Sequence, residues 1–145
     1  MNVLKEPDEV ATAIRDYLWN NDAMLRGSYK EYLQHPLGGH CYIATESYYH
    51  TLQNPEAWTP QCLNVSWRTD LTRKEITHWY LQHDNGTIVD LTADQFDAAP
   101  VRPDYSEGTG KGFLTAQPSN RTQHILDYLS SELNGKEKEA TLSVA

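Results

Sequence analysis

Apolar positions along the chain follow two periods, helical at both ends and strand-like in the middle. Val10, Ile14, Tyr17 and Leu18 recur at helical spacing behind Pro7-Asp8-Glu9, which predicts a helix over residues 7–20 ending at Asn20-Asn21. Residues 21–37 carry a Gly27-Ser28 break with Tyr29, Tyr32 and Leu33 at helical offsets, so a short helix or turn is expected before His35-Pro36. After Gly38-Gly39, apolar or small residues at 43, 44, 48 and 52 predict a central helix over 41–53, stopped by Asn54-Pro55.

Beyond a loop from Pro55 to Pro60 the period changes to two. Cys62 to Trp67 alternates as a strand does, Ile76 to Gln82 is rich in strand formers, and Thr87 to Leu91 reads as a third strand. Asp84-Asn85-Gly86 is a hairpin signal. With Asn85-Gly86 as the turn centre, Asp90 falls opposite about Leu81 and a diagonal step from His78. Thr92 to Phe96 is expected to be a short helix or turn, and Tyr105 to Phe113, with Gly108, Gly110 and Gly112, a shaped loop bordering a site. Pro118-Ser119-Asn120 opens a last helix that presents Ile125, Leu126, Tyr128, Leu129 and Leu133, with Asn120 and Gln123 as a capping box and Asn134-Gly135 as the stop. The order is that of an α+β protein whose N-terminal helices and central helix pack on a small antiparallel sheet. A single domain over 1–135 and a flexible tail over 136–145 are expected.

Composition narrows the function. A chain of 145 residues is long enough for one core. No window has the apolar length to span a bilayer, and Met1 to Pro7 lacks the pattern of a signal peptide, so a cytoplasmic protein is expected. The two cysteines, Cys41 and Cys62, are then thiols. A net charge of −8 with scattered basic residues argues against nucleic acid. Four Trp and nine Tyr beside two Phe suit half-exposed clefts.

Cys41 opens the central helix, where free amide N–H groups and the helix dipole favour the thiolate. A cysteine nucleophile needs a base, and the base needs a partner that fixes its tautomer. His78 and Asp90 lie on neighbouring strands. The expected arrangement has Asp90 holding Nδ1–H of His78 while Nε2 faces Cys41. His78 also reads as a core histidine and Asp90 as a helix cap. His35, His40, His50, His83 and His124 read as surface residues, Glu46 as a solvated helix carboxylate and Cys62 as structural. No C-x-x-C or H-E-x-x-H spacing supports a metal, and no cofactor is expected.

The segments Gly39-His40-Cys41-Tyr42-Ile43-Ala44, His78-Trp79-Tyr80 and Gly86-Thr87-Ile88-Val89-Asp90-Leu91-Thr92-Ala93-Asp94-Gln95-Phe96 resemble the YunG-like family of short bacterial and phage proteins. More distantly, a cysteine at a helix start, a histidine beside tryptophan and an aspartate before threonine are similar to the transglutaminase-like branch of the papain-like cysteine enzymes. The second resemblance implies a papain-like core and a Cys41–His78–Asp90 triad. Cys41 would attack the amide bond of a protein or peptide substrate and form a thioester that passes to water or to an amine. His40 and Gln34 are candidate side-chain oxyanion donors, and Tyr42, Trp79 and Trp58 candidate cleft residues. The competing expectation is a non-catalytic protein-binding domain, phage-encoded and blocking a host factor in the host cytoplasm. Nothing in the pattern specifies an oligomeric state.

Overall fold

A computed structural model describes residues 3–21, 40–68, 73–97 and 101–144. It has an α+β fold with a five-stranded sheet in the order β1-β4-β3-β2-β5, formed by β1 (Val3–Leu4), β2 (Trp58–Arg68), β3 (Arg73–His83), β4 (Thr87–Val89) and β5 (Thr109–Gly110). Three helices accompany it among the described residues: α1 (Glu9–Asn20), α2 (Cys41–Tyr49) and α3 (Asn120–Val144). The expected short helix over 21–37 lies outside the described residues.

Antiparallel pairing joins β2 to β3, β3 to β4 and β2 to β5; β1 lies parallel to β4. Strand alternation divides the core in two. Leu81 and Val89 meet Ile14, Leu18, Ile43, Ala44, Tyr48, Ile125 and Leu129 on the helical side. Leu63, Val65, Ile76, Tyr80 and Ile88 point the other way and pack with Phe96.

Asp8 caps α1 by accepting the Ala11 N–H at 2.8 Å, so the helix begins at Glu9. Helix α2 stops at Tyr49 rather than 53, because the Thr51 hydroxyl takes the Tyr48 carbonyl at 2.6 Å. Residues 43–48 of α2 are all buried, since the sheet and the other two helices enclose it. Strand β2 starts at Trp58, inside the predicted proline loop, and the short strands β1 and β5 carry no strand pattern of their own.

At α3 the cap is Ser119, whose Oγ accepts the Thr122 N–H at 3.3 Å, in place of the expected Asn120 box. The helix runs through Asn134-Gly135 to Val144. Among the described residues no helix is long and apolar enough to cross a membrane.

Candidate active site

Two features of the backbone and one side chain bring the candidate residues together. The β3–β4 loop encloses Asp84, Asn85 and Gly86, with Gly86 at φ 94° and its N–H bonded to the His83 carbonyl at 2.9 Å. Leu81 therefore pairs with Val89, and one further step sets Asp90 against Tyr80 instead of Leu81. A one-residue change of register moves a side chain to the other face, and this one puts Asp90 on the face of His78 and Tyr80.

Strand β4 is only three residues long, so β3 loses its neighbour beyond Leu81. Helix α2 begins at that uncovered edge, where the Cys41 thiol reaches the Thr77 carbonyl at 3.6 Å. Arg15 of α1 then ties down the segment after Asp90. Its guanidinium donates to both Asp94 oxygens, at 2.9 and 2.8 Å, and to the Leu91 carbonyl.

The result is a buried chain of polar groups. His78 is fully buried, and its Nε2 lies 2.6 Å from Asp90 Oδ2. Asp90 also accepts the Tyr105 hydroxyl at 2.7 Å and, through Oδ1, the Thr92 N–H at 3.2 Å. The Cys41 thiol also favours the charged form of the His78 ring. With Nε2 engaged by Asp90, the nitrogen left for Cys41 is Nδ1.

This reverses the expected use of the ring. The physical reason is reach: Asp90 lies across from Tyr80, two residues along β3, and needs the far nitrogen. Cys41 lies against the β3 backbone at the Thr77 carbonyl. Burial works against charge on His78, but the Asp90 carboxylate and the hydrogen bonds to Asp90 and Cys41 outweigh it and push the imidazole up to about 10. The same carboxylate, after burial, raises the Tyr80 and Tyr105 hydroxyls. Phe96 meets the His78 ring edge-on at 4.9 Å.

Cys41, 8% exposed, packs with Cys62 and Trp79, and Tyr42 and Phe113 lie against that cluster. Tyr42 contacts Trp79 edge-on at 4.9 Å and accepts the Leu114 N–H at 2.8 Å. The glycine-spaced segment lies against this cluster, with Lys111 placing its ammonium over the Trp79 ring at 5.7 Å. Both cysteines are free thiols; burial pushes Cys62 up, against the pull of Lys111.

Several expectations change. His40 is fully buried at the N-cap of α2, where its side chain makes no capping bond, because the helix start is enclosed; it is not a surface residue. Glu46 is also fully buried and holds the start of α3, accepting the Ser119 N–H and the hydroxyls of Ser119 and Thr122. Trp58 is not at Cys41. It meets His83 edge-on at 4.8 Å and, with Lys5, Asp8 and Tyr48, lines a cleft of about 390 Å³ near the C-terminal end of α2. Gln34 lies outside the described residues.

Gln95 and Tyr105 have no role in the sequence reading. A polar Gln95 beside Phe96, in a short turn, was the one available signal for the first. For Tyr105 there was none, since its hydroxyl reaches Asp90 from a separate loop. Among the described residues no group of three or more His, Cys, Asp or Glu side chains is arranged to hold a metal ion. No protein family matches the chain, and no curated protein and no solved structure matches it.

Proposed function

We propose that the protein is a cysteine hydrolase or acyltransferase acting on an amide bond, with a papain-like arrangement of Cys41, His78 and Asp90. The observation that carries this reading is the buried 2.6 Å contact between His78 and Asp90 beside a thiol at a helix start. A buried imidazole bonded to a carboxylate on one nitrogen has its tautomer set, which leaves the other nitrogen as the one that can exchange a proton.

Cys41 Sγ attacks the substrate carbonyl, and His78 Nδ1 receives the thiol proton. Asp90 stabilises the imidazolium so formed. The backbone N–H of Cys41, in the first turn of α2 and without an intrahelical partner, would hold the oxyanion. Collapse of the tetrahedral intermediate breaks the C–N bond, and His78 returns its proton to the leaving amine. The thioester on Cys41 then passes to water or to a second amine. Protein or peptide chains are the substrates proposed, with Tyr42 and Trp79 beside the sulfur.

Alkylation by iodoacetamide tests the reading, with Cys62, equally buried, as the internal control. Cys41 is expected to react faster than Cys62 at neutral pH by at least about tenfold, and His78→Ala to abolish that difference. Equal rates in both proteins would remove the nucleophile and favour a domain that binds without catalysis.

A further inference from the structure

Asp90 takes one nitrogen of His78, and on the other the ring faces Cys41 and a second group. The side-chain Nε2 of Gln95 lies 3.4 Å from His78 Nδ1. Gln95 is 1% exposed, and the same nitrogen donates to the Thr92 hydroxyl at 2.8 Å. Thr92 is itself buried and donates its backbone N–H to Asp90. The amide is thereby tied to the same segment that carries the carboxylate, and its nitrogen has only protons to offer.

Facing that nitrogen, Nδ1 is an acceptor. Protonating it would set two buried donors against each other, or force the amide to turn end for end. The titratable groups facing the ring are Cys41 from α2, Asp90 beyond β4 and Tyr80 of β3, with Tyr105 behind Asp90. Asp90 draws the ring toward the imidazolium; Gln95 opposes it from the other side. A ring held too firmly as imidazolium is a poor base for the Cys41 proton and a poor acid toward the leaving amine, because such catalysts work best near the operating pH.

We propose that Gln95 is a positioning residue of this site, whose amide N–H, donated to Nδ1, lowers the proton affinity of His78 and offsets part of the pull of Asp90. The proposal rests on the Cys41–His78–Asp90 reading and adds the group that adjusts its base.

The test follows His78 Nδ1 and Nε2 by long-range proton–nitrogen spectra of histidine-labelled protein, titrated from about pH 5 to 10.5 to span the ordinary and raised values. Wild type supplies the reference midpoint, which Asp90 and Cys41 raise above the ordinary imidazole value. Gln95→Met, close in shape but without the donor, is expected to raise the midpoint by about one pH unit. Gln95→Glu, which offers Nδ1–H an acceptor and keeps a partner for the Thr92 hydroxyl, is expected to raise it further. The pH profile of Cys41 alkylation moves in the same direction.

A folded Gln95→Met that titrates at or below wild type overturns the proposal. Where Gln95→Met does not fold, Gln95→Glu decides by the same sign. If His78→Ala leaves Cys41 alkylation unchanged, the hydrolase reading fails on its own, and the His78 titration still reports on Gln95.

Discussion

Glu46 and Asp90 are both carboxylates inside the protein, and they are satisfied by different chemistry. Glu46 faces hydroxyls and the start of a helix: Ser119 Oγ at 2.7 Å, the Thr122 hydroxyl, the Ser119 N–H and, more distantly, Tyr42. Asp90 faces an imidazole, a phenol and one backbone N–H. Hydroxyl and amide dipoles hold a charge without exchanging it, so Glu46 acts as a fastener between α2 and α3. An imidazole can gain and lose a proton, so the Asp90 pair holds a group that exchanges one. The partner, rather than burial, separates a carboxylate that only fastens from one bonded to a titratable ring.

The largest expected effect breaks the fastener. Glu46→Ala leaves the buried Ser119 and Thr122 donors without their acceptor and should cost about 3 kcal/mol in urea unfolding. Alkylation of Cys41 in the folded fraction should remain at the wild-type rate. A large rate loss with little loss of stability would place Glu46 in the chemistry and erase the distinction.

Asp90→Asn should act in the opposite sense, slowing Cys41 alkylation at neutral pH by about tenfold while the protein stays folded. It should also change how stability depends on pH. The folded His78 has its pKa raised above the ordinary 6.5 to about 10, so its stabilisation is present in full below pH 6.5 and is lost as pH rises toward 10. Wild type should therefore lose stability across that window, and Asp90→Asn should show a flatter profile. Equal slopes in both proteins would remove the ion pair.

Smaller effects sharpen the description of the loop behind Asp90. A Cβ at Gly108 would come within 1.8 Å of the Tyr80 hydroxyl, which donates to the Tyr105 carbonyl at 2.9 Å. Gly108→Ala should therefore shift this loop and cost about 2 kcal/mol. Tyr105→Phe removes one donor from Asp90 and should cost about 1 kcal/mol, with His78 still bound to the carboxylate. Unchanged melting of Gly108→Ala would show that the loop moves aside freely.

The strands at the centre of the chain were legible because Leu63, Val65, Ile76, Tyr80 and Ile88 alternate with residues facing the helices. The hairpin was legible from Asn85-Gly86, but its register was not. Placing two or three residues in the loop is a matter of backbone geometry around Gly86 and the His83 carbonyl. That single residue decides whether Asp90 shares a face with His78. Glu46 and His40 were misread for a related reason: a helix enclosed on several sides buries polar positions that an amphipathic pattern assigns to solvent.

From the sequence alone came the α+β order, a cysteine at a helix start, a histidine on a strand and an aspartate close to its neighbour, one residue past the end of β4. Those are local properties, governed by period, turn chemistry and spacing. Tertiary structure decided which nitrogen of His78 meets Asp90, and brought Gln95 to the other and Tyr105 to the carboxylate. It also carried Trp58 to the far end of α2 and turned Glu46 inward. These depend on where β4 ends and which elements close over α2, and contacts between distant segments leave no periodic trace along the chain.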